Sequence, residues 1–482
     1  FTQSVNIDVN TGKFGSYTSY RRQQAEGWQL NPYEENSKTH ELEETGKVAS
    51  TGFYANTVNQ KFTFDATDKL SFYARGGYYD NKTRRPYEAY DYNILHETFN
   101  YGIGAQYMIN KGNYITADCY ADHFSSSYCF FKDNKTYNGK AGEEQVRKRT
   151  RNHNLSIKGI FKLGNRHKLS VGTEYIVDVL KSQTDNIAKE DAYTLALFAQ
   201  DEIKLLRNLQ ALIGVRYIYH ENFKNHATPN VALMYKPGKF NFRASYAAGF
   251  RTPTLSELYA TDIAKKNDRL TIGNLDLKPE KNNYFSLSAE YVHERFSVSV
   301  NAFYNNIRDM IDYNTIATGD KAMEQYGHKE VRQRDNIAEA KVHGINVSAN
   351  AYLGAGFNLS GGYTHLNTQD VELEQPIDKS IKNAYNINAQ WAHSWKIYRL
   401  NINLNGRFNS KRFSKSYGYA PEYQLWDLNT RHSFNLKSVI IEPGCGMENL
   451  FDYMDDRPYN SNYATLTPGR SFYISLSLKF KS

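Results

Sequence analysis

The sequence predicts an all-β protein, a transmembrane antiparallel β-barrel of about 22 strands with short periplasmic turns and long extracellular loops. Three observations carry this. Polar and apolar residues alternate with period two along the whole chain. No run of about 18 apolar residues is present to form a membrane helix. Rings are abundant, with 39 Tyr and 26 Phe in 482 residues. A mean hydropathy of -0.69 with 40% hydrophobic residues is too polar for helical spans. It suits a barrel, where only every second residue meets lipid and aromatic girdles mark both interfaces. A secreted or periplasmic propeller or pair of sandwiches would show blade or domain periods of about 40 to 100 residues, and the chain has none.

Taken in chain order, the first clear hairpin turns at Asp65 to Lys69. Leu155, Ile157, Phe161 and Leu163 then alternate with Ser156, Lys158 and Lys162, and the connection Gly164-Asn165-Arg166-His167 leads to Leu169 and Val171 against Ser170. Lys236-Pro237-Gly238-Lys239 precedes Phe240, Phe242 and Ala244, and His293-Glu294-Arg295 joins Phe285/Leu287/Ala289 to Phe296/Val298/Val300. These turns are short, polar and rich in turn formers. The final strand is the clearest, with Phe472, Ile474, Leu476, Leu478 and Phe480 on one face and Ser471, Tyr473, Ser475, Ser477 and Lys479 on the other.

The opposite ends of the hairpins carry long segments: Asn81 to Glu97, Ser125 to Arg151, Gly249 to Glu280, Asp309 to Glu339, Asn367 to Lys382 and Phe451 to Pro468. Tight turns on one rim and long loops on the other are the asymmetry of outer-membrane barrels. About 21 strands are clear, and a further one is expected within the irregular stretch from Ala25 to Thr57. The resulting even count of about 22 lets the chain start and end in the periplasm, and it is the size class of plugged transporters.

Catalytic signatures are missing. There is no G-x-S-x-G elbow or H-E-x-x-H helix, so no enzyme is expected. His40-Glu41 and His96-Glu97 lack a second histidine four residues on, so no metal site and no covalently bound cofactor is expected. Gly102 and Gly104 fall in strand alternation rather than in a nucleotide loop. Cys119 and Cys129, if on one strand, stand about 33 Å apart at about 3.3 Å per residue, beyond disulfide reach. His96, His226 and His328 are placed in or beside external loops, and His343 on the lumen face of a strand.

The net charge of +8 is dispersed. It forms no basic stripe for nucleic acid, and reads as solvated loops that help to draw anionic ligands or lipopolysaccharide phosphates. Tyrosines concentrate in the loops, and Tyr87, Tyr90, Tyr92, Tyr313, Tyr326, Tyr417, Tyr419 and Tyr459 are the candidate ligand contacts. Tyr offers a rigid amphipathic face at low entropy cost, which suits a large, partly apolar ligand; the competing role is interfacial girdle or lipopolysaccharide contact.

Gly249-Phe250-Arg251-Thr252-Pro253-Thr254-Leu255-Ser256-Glu257-Leu258-Tyr259, followed by Gly273-Asn274-Leu275-Asp276-Leu277-Lys278-Pro279-Glu280, resembles the paired signature of TonB-dependent receptors. Thr228-Pro229-Asn230, Tyr304 to Ile311, Val342-His343-Gly344-Ile345, Glu448-Asn449-Leu450-Phe451-Asp452 and Pro468 to Phe472 are further matches. The resemblance spans essentially residues 1–482, as one barrel domain. It is similar in length and loop pattern to the cobalamin and haem receptors, and Phe53 to Tyr92 is similar to the cobalamin branch.

This resemblance implies an outer-membrane receptor that captures and actively imports a large scarce nutrient: an iron–siderophore, haem or cobalamin, with iron or cobalt carried in the ligand. It implies architectural roles for Arg251, Pro253, Tyr259, Asn274, Pro279, Asn449, Phe451 and Phe480. It also implies TonB as partner through an N-terminal plug domain and TonB box that the chain lacks, with outer-membrane lipids, lipopolysaccharide and a surface lipoprotein as further partners. The chain opens at Phe1 without a signal-peptide pattern, as expected of a mature fragment. Three further features depart from the family: Phe480 is followed by Lys481-Ser482, Thr261 to Thr271 holds no histidine to serve as a haem ligand, and the short, irregular Ala25 to Thr57 offers no clear acidic cluster for the calcium loop of a close cobalamin receptor. The alternative is a passive porin or adhesin barrel without a specific ligand.

Overall fold

The structure, a computed structural model, describes residues 1–36, 39–264 and 268–481. Its 23-stranded sheet contains one short hairpin, Thr261–Ala264 and Arg269–Ile272, whose second strand runs parallel to Glu330–Gly354. The other 21 strands pair antiparallel with their neighbours in sequence, from Thr2–Asn10 to Ser471–Phe480. Inside the sheet each strand bonds its backbone groups to both neighbours, as strands that cross hydrocarbon must; among the described residues no pairing joins Thr2–Asn10 to Ser471–Phe480.

The alternation seen in the sequence sorts by exposure, with the greasy face outward. Leu155 and Ile157 are exposed with Ser156 between them half-buried, and Ile213 and Val215 are exposed with Gly214 between them buried, whereas the last strand, Ser471–Phe480, is exposed on both faces. Phe62, Phe64, Leu155, Ile157, Ile213, Val215, Phe285 and Leu287 are exposed large hydrophobics in the same way. In water this surface would be prohibitive; against lipid it is the stabilising face. Lys162, Lys168, Arg243, Ser245 and Ser286 line the inside near the short-turn rim. The two packed apolar clusters lie in the long-loop zone. One joins Leu258, Leu277 and Ile311, and the other Ala317, Ala322 and Val331 with Leu270 and Tyr326 against them.

The turns expected at 65–69, 164–167, 236–239 and 293–295 all join consecutive strands, and Gly164 and Gly238 take positive φ of 61° and 62° there. The strands reach farther into the long segments than the alternation indicates. Only residues 85–91 remain between Leu70–Arg84 and Tyr92–Asn110, and only 319–329 between Phe296–Thr318 and Glu330–Gly354.

Three expectations are corrected. The stretch from Ala25 to Thr57 holds no additional wall strand among the described residues. Phe14–Ala25 and Gly52–Asp65 are direct partners, and the loop between them carries only the small hairpin Tyr33–Glu35 and Leu42–Glu44. With 21 alternating strands, the first and last run the same way. The short turn 11–13 then puts Phe1 at the long-loop rim and not on the periplasmic side. His343 pairs with Tyr304 beside the exposed Ile345 pair, on the outer face and not in the lumen.

His96 and His226 sit within strands rather than loops: His96 meets Phe124 and His226 stacks on Phe250. His328 lies in the loop after helix Gly319–Tyr326, where its Nδ1 is 2.9 Å from Asp268 Oδ1.

Candidate ligand site at the long-loop rim

On strand Tyr92–Asn110 the large exposed residues Phe99, Tyr101, Ile103 and Tyr107 are odd-numbered, so Tyr92 and Ile94 face the lumen. Pairing carries this face to the next strand, where Phe130 opposes Tyr92 and Tyr128 opposes Ile94. The rings of Tyr92 and Tyr128 stack at 4.1 Å, and Tyr137 meets them edge-on at 5.7 and 5.2 Å. The loop bearing Tyr137 is fixed because Gly139 lies against the Phe130 ring, where a Cβ has no room. Asn134 Nδ2 also donates to Asp91 Oδ2 at 2.7 Å, tying this loop to 85–91.

Two guanidinium groups flank this stack. Arg85 lies 3.7 Å from the Tyr90 ring centre and 4.9 Å from that of Tyr92. Arg147 lies 5.3 and 5.0 Å from Tyr128 and Tyr137. A register shift between Ser126 and Ser127 makes Arg147 the extra residue of its strand and lets it turn toward these rings. Arg147 donates to Gln183 Oε1 at 2.9 Å while its buried Nε has no hydrogen-bond partner, and neither arginine has a carboxylate ion pair among the described residues. Burial pushes the phenols of Tyr128 and Tyr137 up, with Tyr92 adding and Arg147 opposing, so both rings stay neutral hydroxyl donors at physiological pH. The result is a polarised apolar surface with positive charge at both ends.

Tyr90 extends the group to loop 449–470, because burial and then Tyr90 push the Tyr459 phenol up to about 12. Tyr459 N donates to Tyr33 O at 2.7 Å, and Trp28 Nε1 donates to Leu466 O at 2.8 Å. Loops from near both ends of the chain are thereby laced together over the mouth.

Of the other tyrosines singled out by sequence, Tyr87 is 59% exposed, stacks on Phe131 at 5.4 Å and carries Lys132 Nζ at 3.9 Å. Tyr313 lies under Arg334 at 3.5 Å, Tyr326 packs on the Ala322 cluster, and Tyr417 and Tyr419 are exposed at a separate loop tip. Of the tyrosines named from sequence, the structure brings Tyr90, Tyr92 and Tyr459 to one place and scatters the rest. Sequence reasoning missed Arg85, Tyr128, Tyr137 and Arg147. The signal available was the alternation running on through Tyr128 and Phe130 into a segment read as loop.

The paired signature folds into a second, tightly bonded unit. Thr254 caps the helix Leu255–Tyr259 in a reciprocal capping box with Glu257. Arg251 donates to Glu257 Oε2 at 2.9 Å and Oε1 at 3.2 Å, and to Glu280 Oε2 at 2.8 Å and Oε1 at 2.7 Å. Glu280 Oε1 also accepts from Ile311 N at 2.8 Å. Burial raises both carboxyls, but the Arg251 bonds outweigh it and hold them below their ordinary range. Pro253 and Pro279 are buried, Tyr259 packs on the Leu258 cluster, and Asn274 donates to Arg334 O at 3.0 Å. Asn449, 2% exposed, takes φ of 53° and bonds Tyr453 through both side-chain atoms. Phe451 and Phe480 are 65 and 80% exposed.

A lipid-facing antiparallel barrel with laced external loops and a lumenal aromatic–cationic mouth defines an outer-membrane barrel of the receptor type. A family model described as "TonB dependent receptor-like, beta-barrel" matches residues 3–449, and the chain belongs to that family of outer-membrane receptors for nutrients. A mutant of the ferric enterobactin receptor from Pseudomonas aeruginosa superposes with TM-score 0.82 at 16% identity, over 99% of this chain and 77% of that one. The siderophore receptor PirA from Acinetobacter baumannii gives TM-score 0.76 at 14% identity, over 100% and 77%. The copper transporter OprC gives 0.75 at 10%, over 100% and 78%. At these identities the likeness is one of fold.

Proposed function

We propose that this barrel captures a bulky, multiply charged aromatic iron chelate of the siderophore class and delivers it to a TonB-driven import step. The observation that carries the reading is the pair of guanidinium groups, Arg85 and Arg147, held on tyrosine faces without carboxylate partners among the described residues. A planar aromatic anion stacks on Tyr92 and Tyr128 and neutralises both cations, each contact worth about 0.5–2 kcal/mol. Solved receptors of similar fold carry ferric enterobactin and siderophores in their names. A corrinoid without net charge gains less from two cations, so the siderophore class is preferred over cobalamin, and it is preferred over haem because Thr261 to Thr271 offers no histidine to ligate haem iron.

In this reading residues 1–482 work as one barrel domain. Arg251, Pro253, Tyr259, Asn274, Pro279, Asn449, Phe451 and Phe480 serve architecture, and Tyr90, Tyr92 and Tyr459 serve ligand contact. Tyr87, Tyr313, Tyr326, Tyr417 and Tyr419 act in loop packing or first encounter. Outer-membrane lipids surround the wall, and a surface lipoprotein over the loops is a further partner to test.

The test is fluorescence titration of the full-length receptor with a ferric tris-catecholate, haem and cyanocobalamin. The expected result is tightest binding of the catecholate, weakened about tenfold or more by Arg85→Ala/Arg147→Ala, as two lost cation contacts of about 1 kcal/mol each imply. Undetectable binding of all three at micromolar concentration would remove the substrate class.

A further inference from the structure

The lumen face is charged along one arc of the wall and uncharged along another. Phe296, Val298, Val300 and Tyr304 point outward, so Ser297, Ser299, Asn301 and Asn305 point inward. Pairing carries that inward face over Glu330–Gly354, Phe357–Asp370, Asn383–Trp395 and Tyr398–Asn409, where Ser297, Asn350, Ser360, Asn388 and Asn405 stand in one row. No charged residue occurs from Ser297 to Asn305, Asn346 to Asn350, Asn358 to Thr364, Asn386 to Gln390 or Asn401 to Asn405. Charges return at the borders, with Arg399 and Arg407 on one side and Glu290, opposite Ser299, on the other.

The short side chains of this arc bond one another along the wall. The Ser299 and Ser348 hydroxyls are 2.8 Å apart, Thr364 Oγ1 donates to Asn346 Oδ1 at 2.9 Å, and Asn388 Nδ2 donates to Asn403 Oδ1 at 2.6 Å and Asn405 Oδ1 at 2.5 Å. Strands Leu70–Arg84 to Leu209–His220 differ: their inward side chains are longer and form ion pairs, Arg75 with Asp118 at 3.5 Å, Lys168 with Glu202 at 3.0 Å and Arg216 with Glu174. A multiply charged solute passing such a pair is held by one partner and repelled by the other. Amides and hydroxyls offer it many weak contacts, the condition for a solute both to enter and to leave, and their short reach leaves the bore wide. Toward the long-loop end the inward rings of Tyr284 and Phe303 stack at 6.2 Å, a flat ledge above the polar track.

We infer that this amide- and hydroxyl-lined arc is the passage for the imported chelate, which leaves the mouth onto the Tyr284 and Phe303 rings and descends past Ser348 and Ser360 to the short-turn rim. The charged arc stays closed to it, its ion pairs bracing whatever packs against that side of the bore. The inference rests on the siderophore reading of the mouth and adds to it the side of the lumen along which the ligand moves.

The experiment narrows each arc in turn in the full-length receptor and reads binding and uptake of a radiolabelled ferric tris-catecholate separately. Ser348→Trp and Ser360→Trp should leave the Kd within twofold of wild type and lower the initial rate of uptake at least tenfold. Ser156→Trp and Ser170→Trp, inward on the charged arc, should leave both within twofold. Heat-modifiable gel migration reports whether each variant is a folded barrel. A misfolded Ser348 or Ser360 variant is replaced by Ser348→Glu and Ser360→Glu, each expected to slow uptake of the anionic chelate at least threefold against Ser348→Gln and Ser360→Gln. Folded arc variants that import at the wild-type rate, equal losses on the two arcs, or equal rates for the Glu and Gln variants overturn the passage. Wild type that neither binds nor imports the chelate overturns the siderophore reading itself, a failure visible before any variant is compared.

Discussion

Replacing Arg251 by alanine removes the cation that bridges Glu257 and Glu280. The arginine is 43% exposed while the carboxylates are 13 and 16% exposed, so the loss falls mainly on two shielded anions left facing each other. Breaking a buried pair costs about 3–5 kcal/mol, and halving that for the half-exposed arginine gives about 2 kcal/mol. This acts on the loop base rather than on the barrel ladder, because helix Leu255–Tyr259 and strand Glu280–Val292 are joined here through Arg251. Local opening should rise about 30-fold, at about 1.4 kcal/mol per tenfold. Hydrogen exchange of the Leu258, Ala260, Gly273 and Asn274 amides, all bonded within this unit, measures it.

The pH dependence has a defined sign. Both carboxyls are held below 4.5 in the folded loop, so their stabilisation is fully present above that pH and is lost as acid takes pH through the lowered values. In Arg251→Ala the adjoining carboxylates gain from protonation, and mild acid should protect rather than open the loop. A change in exchange below threefold, or an unaltered acid profile, would refute the reasoning.

Other parts of the structure make separate predictions. Gly273→Ala places a Cβ against the Leu258 carbonyl and Tyr259 N, and the crowding of about 1–3 kcal/mol should speed limited proteolysis of 261–272 about tenfold. Val331→Asp buries a charge in a fully enclosed site beside Ala322, and should abolish exchange protection of helix Gly319–Tyr326 while leaving heat-modifiable migration intact. Leu155→Arg on the lipid face should lower barrel stability in urea by about 2–4 kcal/mol; Ser156→Arg, facing the lumen, should cost under about 1 kcal/mol.

The wall was legible in the sequence because a two-residue period has one dominant cause, lipid on one side and polar surroundings on the other. Phe472 to Phe480 and Leu155 to Leu163 show it without any tertiary information. The same rule overran the loops: alternation at Tyr128 and Phe130 continues a strand, yet the polar residues around them resemble a loop. Ala25 to Thr57 misled in the opposite sense, since short turns of alternation there belong to a small external hairpin. The mouth was only half legible. Tyr90, Tyr92 and Tyr459 stand out by type, but their meeting depends on loops 26–51 and 449–470 crossing between chain ends. Arg85 and Arg147 differ from the other dispersed arginines only in what they stack upon.

The central claim is that ligand capture by Arg85 and Arg147 serves energised import. It is tested most directly by uptake of radiolabelled ferric tris-catecholate into cells bearing the full-length receptor, with and without a proton-motive force. The account predicts accumulation that needs both the force and the two arginines, falling at least tenfold in Arg85→Ala/Arg147→Ala at unchanged surface expression. Accumulation that persists without the force, or that the double variant leaves untouched, would contradict it.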